Sequence, residues 1–373
     1  MPGGRCQLHP LIRQCMLRVS PMSHVLTTAP AAGSLATPSP SLTPSEVERV
    51  VLDHYGLAGE ARLLTSERDQ NFRFTTPAGE SFVVKVTNPA EDRLVTDFQT
   101  KAMLHIEARD PTLPVPCIRR TLLDEPAFVL QADGLSMVVR MITWLDGVPL
   151  HQVERSSGQR RALGAQLARL GLALADFRHP AADHFLQWDI KHAAGLRPLL
   201  SHIEDDRRRG LATAFLDRFD AVAAPVLPTL RGQIVHNDLN PYNVLVAADD
   251  HDRITGIFDF GDLVETALVN DVAVAASYQI SPAGDPFDGV VEFVSAYCSV
   301  RPLEEREIAL LFDLIAARML TTVAITNWRA LRYPENRSYI LRNSPSAWDG
   351  LERFAVLDPG KVRDRLAAAC LGN

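Results

Sequence analysis

Residues 234–246 read IVHNDLNPYNVLV. Two apolar residues lead into a polar stretch, and a Val-Leu-Val run leads out of it. Within the stretch stand His236, Asp238 and Asn243. A second apolar piece, ITGIF, ends shortly before Asp259-Phe260-Gly261-Asp262. A carboxylate beside a hydroxyl can orient it and take its proton. An Asn carbonyl oxygen and an Asp carboxylate are hard donors of the kind Mg²⁺ accepts. Transfer of a phosphoryl group from ATP or GTP asks little more of a protein than such a carboxylate, a metal against the phosphates and a cation to steady them. Polar loops often hold His, Asp and Asn, so the HxD triplet alone says little. The whole set, mounted on two short strands, points to phosphoryl transfer, with Asp238 as the catalytic carboxylate and Asn243 and Asp259 as Mg²⁺ ligands.

Lys85 lies inside SFVVKVT, a strand that is apolar apart from its ends. Such a lysine either points to solvent from an edge strand or sets its ammonium against phosphates, held by an acid on the following helix. Asp97 is the candidate acid, with Glu91 and Asp92 nearer the helix start. The turn in TSERDQNFRFTT sits where phosphates would be covered, yet it contains no glycine. Ser66, Arg68, Gln70 and Asn71 are the polar groups it offers instead.

These residues need mounts. TPSEVERVVLDHYGL places Val47, Val50, Val51 and Tyr55 on one helical face, with Thr43 or Ser45 to cap its start and Gly56 to end it. RLLTSERDQNFRFTT and ESFVVKVT read as antiparallel strands joined by a Thr-Pro-Ala-Gly turn. A helix is expected over 91–108, and strands in PAFVLQA and LSMVVRMITWL. After Gly147 the pattern turns helical. Leu163, Leu167, Leu170 and Leu174 recur at helical spacing, and further helices are expected near 194–223, 264–280, 285–300, 303–332 and 345–370. The fold class is α+β: a small β-rich nucleotide-binding lobe over 46–143, a hinge near 140–148, and a larger helical lobe over 144–373 that carries the catalytic and substrate groups.

The 373 residues carry a net charge of −7, with 46 % hydrophobic and 22 % charged residues. No basic stretch has the density of a nucleic-acid footprint, and no apolar run is long enough for a membrane span. Five scattered cysteines, Cys6, Cys15, Cys117, Cys298 and Cys370, form no CxxC and fit a reducing, cytoplasmic setting. Residues 1–45 contain no Asp or Glu, carry Arg5, Arg13 and Arg18, and end in a Pro/Ser/Thr-rich run. We read them as a disordered leader or as the product of a start codon placed too early; an organelle presequence is the alternative.

HNDLNPYNVLV with ITGIFDFGD resembles the aminoglycoside phosphotransferase and choline kinase superfamily, which shares the two-lobed protein-kinase-like fold. DFRHPAADHFLQWD, RPLEEREIALLFDLIAARML and RYPENRSYILRNSPSAW are most similar to its hydroxylysine kinase branch. The resemblance covers about 45–355. It implies a kinase for a small molecule, most of all hydroxylysine, with aminoglycosides, homoserine, choline and ethanolamine as other acceptors. It gives Asp238 the role of base, Asn243 and Asp259 that of Mg²⁺ ligands, and Lys85 that of phosphate-binding lysine. It also implies a functional link to class III aminotransferases. A pseudokinase would keep the fold without turnover. Asn237 stands in place of the protein-kinase HRD arginine, and no APE segment follows DFGD, which leaves no room for an activation loop or a docked protein substrate. A small amino-acid-like acceptor would need an acid or an aromatic face for its ammonium, for which Asp262, Asp189 and Trp188 are candidates. Its carboxylate would need an arginine. Arg318, in the apolar helix LLFDLIAARMLTTVAI, is the candidate, with a buried structural salt bridge to Asp313 or another acid as the alternative. Asp271 reads as a loop brace.

Overall fold

The computed structural model describes residues 40–66, 69–132, 134–281 and 283–371. It opens with helix α1 (Pro44–Tyr55), capped by Thr43 in a reciprocal box with Glu46 and closed by Gly56 in the left-handed region. Strands β1 (Glu60–Leu64), β2 (Gln70–Thr75) and β3 (Ser81–Val86) follow, then helix α2 (Arg93–Arg109). Strands β4 (Ile118–Arg119), β5 (Phe128–Ala132) and β6 (Leu135–Thr143) complete the sheet. All neighbours are antiparallel, in the order β1-β2-β3-β6-β4, with β5 also on β6.

The two-residue period of the strands sorts their side chains. Phe72, Phe74, Phe82, Val84, Val86, Val139 and Met141 point to one face, where Val47, Val51 and Tyr55 of α1 cover them. Val83 and Lys85 therefore fall on the opposite face. In the register of the sheet Lys85 lies between Asn71 on β2 and Arg140 on β6. Helix α2 packs with its Phe98, Ala102 and Ile106 in the other, larger core, so it ties the sheet to the helical part.

Chain crossing occurs through Gly147 into strand β7 (Val148–Pro149). Helix α3 (Ser157–Ala173) buries Leu163, Leu167 and Leu170, as their spacing predicts. Residues 194–202, expected as the start of a helix running to 223, instead belong to a 3₁₀ segment, Ile190–His202, that contains Pro198. Proline lacks the N–H that a continuous α-helix would need there, so the regular helix α4 starts only at Asp206 and runs Asp206–Val222.

Four short strands then set the polar loops: β8 (Gly232–Val235), β9 (Val244–Val246), β10 (Ile254–Ile257) and β11 (Val264–Ala267). The expected β9–β10 hairpin forms, with β7 on its far side. Strand β8 pairs instead with β11. Residues 264–267, expected as the start of a helix, are thus a strand, and helix α5 begins at Leu268 (Leu268–Ala276). The two hairpins bring loop 236–243 and loop 258–263 side by side.

The rest is helical: α6 (Asp288–Val300), α7 (Glu305–Ile308), α8 (Leu311–Arg332), α9 (Arg337–Ile340), α10 (Ser344–Phe354) and α11 (Pro359–Leu371). Helix α8 is buried at every residue from Leu311 to Thr326. Asp313 and Arg318 sit inside this stretch. Among the described residues no helix is long and apolar enough to cross a membrane.

Gly147 has φ +153°, and a Cβ there would meet the Val246 carbonyl at 2.7 Å and Thr255 Oγ1 at 2.4 Å. Gly147→Ala should therefore cost about 1–3 kcal/mol of stability, read by chemical denaturation, because the strand pair beneath cannot retreat without moving Asn243.

Candidate active site

Loop 236–243 is braced before it does anything else. Asn237 adopts φ +62°, and its N–H donates to Asp271 Oδ1 at 2.8 Å. Burial pushes the Asp271 carboxyl up, against the pull of His236 and the loop N–H groups. Burial lowers the pKa of His236, which keeps it neutral despite the acids nearby. A neutral imidazole has one donor and one acceptor, and both are used. Nε2 lies 3.2 Å from the Phe258 carbonyl, and Nδ1 accepts the Asp238 N–H at 3.3 Å. Its ring also meets Phe260 edge-on. His236 thus pins the two loops to each other.

Asp238 stands at the foot of the cleft, its side chain 20 % exposed. Oδ1 accepts from Arg318 Nη2 at 2.9 Å. Oδ2 accepts from the side-chain amides of Asn240 at 2.9 Å and Asn243 at 2.8 Å. Burial raises the Asp238 pKa, Arg318 and the two amides pull it back, and neighbouring Asp259 adds to the rise. Burial also opposes the charge on Arg318, but Tyr278 and Asp238 outweigh it and hold the guanidinium protonated. Arg318 donates a second bond to the Trp188 carbonyl and lies over the Trp188 ring. Arg318 thus forms the buried salt bridge expected as the alternative to holding a substrate carboxylate, with Asp238 as the acid, because Arg218 takes Asp313.

Both amide N–H bonds of Asn243 point at Asp238, one to Oδ2 and one to the main-chain oxygen. The other end of this amide, the carbonyl oxygen, is the hard donor. Asp259, at φ +64°, opens the next loop and accepts the Gly261 N–H on Oδ1. Both residues, with Asp262, line one cleft of about 770 Å³. Among the described residues no group of three or more His, Cys, Asp or Glu gathers to hold a metal alone. One Asn oxygen and one Asp carboxylate suit Mg²⁺, which habitually completes its shell with phosphate oxygens and water.

The sheet forms the cleft's roof. Leu64, Val83, Ile142 and Leu245 make apolar walls next to residues 144–147, and Ser66, Asn71 and Lys85 supply polar groups. Ser66 donates its hydroxyl to the Asp69 carbonyl. Gln70 turns away and pairs with the main chain of Leu42, so it does not face the cleft. Arg68 lies outside the described residues.

Lys85 does not pair with Asp97. Its partner is Asp69, at 4.0 Å, which also accepts the Asn88 N–H. Asp97 points elsewhere, to Lys101 at 2.8 Å and His179 at 3.0 Å. A short Asp side chain on α2 is engaged before it can span the gap to β3. The bond between sheet and helix is made one strand over. Buried Arg140 reaches Gln99 Oε1 at 2.6 Å and Thr100 Oγ1 at 3.0 Å, and Gln99 Nε2 approaches the Gly261 carbonyl at 3.4 Å. Asp189 is a second correction. It is fully buried, caps the segment from Ile190 and accepts from Thr266, so it braces β11 and is not among the cleft walls.

A model of the phosphotransferase enzyme family matches residues 60–307. The chain belongs to this family. Among phosphotransferases of known activity it is similar to the hydroxylysine kinases of Mus musculus, 26 % identical over 86 % of this chain and 91 % of that one, and Danio rerio, 27 % identical over 87 % and 95 %. A homoserine kinase of Methylocella silvestris is 27 % identical over 69 % of this chain and 77 % of its own. Two solved structures share the fold. One is an amicoumacin kinase in complex with AMP-PNP, Ca²⁺ and Ami (TM-score 0.63, 14 % identity, 86 % of this chain and 97 % of that one). The other is a microcompartment-associated aminopropanol kinase (TM-score 0.61, 17 % identity, 83 % and 97 %). This phosphotransferase is a small-molecule kinase: it moves a phosphoryl group from a nucleotide to a hydroxyl.

Of the residues singled out from the sequence, Lys85, Ser66, Asn71, Asp238, Asn243, Asp259, Asp262, Arg318 and Trp188 come together around the phosphotransferase cleft. Sequence reading missed Asp69, Asn240 and Arg140. Asn240 carried a signal, being two residues from Asp238 in the same polar run. Arg140 carried the same signal as Lys85, a lone cation in an apolar strand. Asp69→Asn should raise the KM for nucleotide about 2- to 5-fold by loosening Lys85. Asp97→Asn should leave it unchanged. Steady-state kinetics at saturating acceptor reads both.

Proposed function

We propose that the acceptor is a hydroxylated amino acid, hydroxylysine first, and that Asp238 is the base. What carries this reading is the state of the Asp238 carboxylate. A carboxylate has about four acceptor positions, and three are filled by Arg318, Asn240 and Asn243. The remaining position is on Oδ1, and Asp238 lines the cleft. There it would orient the acceptor hydroxyl and take its proton as the γ-phosphoryl group moves. Arg318 works against the rise that burial imposes on the Asp238 pKa and holds the carboxylate aimed. Lys85 would steady the phosphates from the sheet, with Ser66 and Asn71 on the covering loop. The purine, of ATP or GTP, would lie in the apolar slot against 144–147. Asn243 and Asp259 would hold Mg²⁺, which neutralises phosphate charge when bound. Trp188 and Asp262 would face the acceptor.

Hydroxylysine is favoured because the likeness to hydroxylysine kinases runs nearly end to end. The RYPENRSYILRN segment, which carries part of that likeness, lines the cleft through Tyr339, Ile340, Arg342 and Asn343. Homoserine is the second reading, supported by the homoserine kinases over a shorter span. A class III aminotransferase is a fitting functional neighbour for an enzyme that makes amino-alcohol phosphates. The free thiols of Cys117, Cys298 and Cys370 agree with a reducing cytoplasm.

Asp238→Asn keeps shape and amide contacts but removes the base. It should lower kcat about a hundred- to ten-thousand-fold in a coupled assay of nucleotide diphosphate release, with nucleotide affinity nearly unchanged. Wild-type turnover in this variant would remove Asp238 from the mechanism. A panel of hydroxylated amino acids and amino alcohols in the same assay identifies the acceptor, with hydroxylysine expected to give the highest kcat/KM.

A further inference from the structure

One face of α8 runs along the cleft. Arg318, Thr322, Thr326 and Arg329 all line it, spaced over three turns of a single stripe. The inner end of the stripe is Arg318, whose charge is committed to Asp238. Thr322 comes next and is tied to Tyr278. Thr326 is buried and gives its proton to the Thr322 carbonyl at 2.7 Å, so its oxygen can only accept from a cleft ligand. Arg329 forms the outer end. Helical side chains lean towards the helix N-terminus, which carries this arginine back along the stripe.

A second arginine, Arg342, just beyond α9, lines the same cleft. Its guanidinium lies 4.4 Å from the ring centroid of Tyr242, in the loop of Asp238, and 4.2 Å from that of Tyr339. Among the described residues its side chain donates no hydrogen bond and forms no ion pair. Phenol rings against its faces fix the plane of the fork and leave its edge, where the N–H donors are, to a partner. A planar fork of donors matches a carboxylate.

The cleft therefore sets an acceptor oxygen, Thr326 Oγ1, on the α8 stripe that starts at the Asp238 partner Arg318, and an aromatic-clamped fork, Arg342, on the segment just beyond α9. We propose that this α8 track is the acceptor subsite and that Arg342 recognises a carboxylate of the acceptor that is phosphorylated. The substrate class is a zwitterionic amino acid, its ammonium bonded to Thr326 Oγ1, and not a carboxylate-free amino alcohol or a polycationic sugar. This rests on the kinase reading above and narrows its acceptor.

The experiment uses the full chain and matched acceptors that differ only in the carboxylate: hydroxylysine with its decarboxylated counterpart, and homoserine with its own. Wild type should prefer the carboxylate-bearing member by about 10- to 100-fold in kcat/KM. Arg342→Gln should erase most of that preference with the KM for nucleotide unmoved, and Arg342→Lys, which restores charge but not the fork, should recover part of it. A thermal melt shows that the exposed substitution leaves the fold intact. Equal loss on both members of a pair, an unaltered preference, or an effect on nucleotide KM instead would each overturn the assignment. Calorimetric binding of the same pairs in the presence of AMP-PNP separates this inference from the acceptor reading. Selective carboxylate binding that is lost in Arg342→Gln, without turnover, sinks hydroxylysine and homoserine as acceptors but keeps Arg342. No selective binding sinks Arg342.

Discussion

A buried guanidinium bonded to a carboxylate holds this site together. Arg318 lies within the buried stretch of α8, and on its own it would be a costly group to remove from water. Asp238, Tyr278 and the Trp188 carbonyl make it tolerable. In return the arginine fixes one oxygen of Asp238, while the amides of Asn240 and Asn243 fix the other. The carboxylate is thus held in one orientation by three donors drawn from α8 and its own loop. Those donors are held in turn by larger features. Helix α8 is packed on all sides, and the loop is locked by Asp271 below and His236 beside it. Rigid mounts of this kind are what a group needs when it must meet a reacting atom within a fraction of an ångström.

The sheet side solves a parallel problem with unexpected parts. A lysine half-hidden on the cleft face of β3 needs an anion beside it. Here the anion is Asp69 on the covering loop and not an acid on α2. The helix is fastened by Arg140 through Gln99 and two threonines, and the same Gln99 approaches the turn after Asp259. Sheet, helix and the Asp259 loop are thereby linked by hydrogen bonds around one buried cation whose acceptors are all uncharged. Such a link is less sensitive to salt than an exposed ion pair.

Much of this was legible in the amino-acid sequence. The period-2 strands, the capped first helix and the framed run from His236 to Asn243 are local signals, and each formed where local chemistry said it would. The class of reaction followed from them. Contacts that close over long stretches of chain were not legible. Nothing local to Asp97 says that Lys101 and His179 reach it before Lys85 does. Nothing in the apolar helix around Arg318 says which of several acids, eighty residues away or five, it will meet. Asp189 read as a ligand because it is a charged residue beside a tryptophan, whereas its position places it under β11. The strand at 264–267 was masked by the Ala-Leu-Val run that continues it, since Thr-Ala before apolar residues reads equally well as the start of a helix. Tertiary pairing with β8 decided between the two.

One consequence follows from how short the connection after Asp262 is. A single residue, Leu263, separates that turn from β11, whose pairing with β8 holds the catalytic loop from the other side. There is no slack in this part of the chain for a phosphate, a pseudosubstrate or a partner to rearrange. A link this short between a turn and a paired strand keeps Asp259 and Asp262 at a fixed distance from loop 236–243, so the two loops move as one piece.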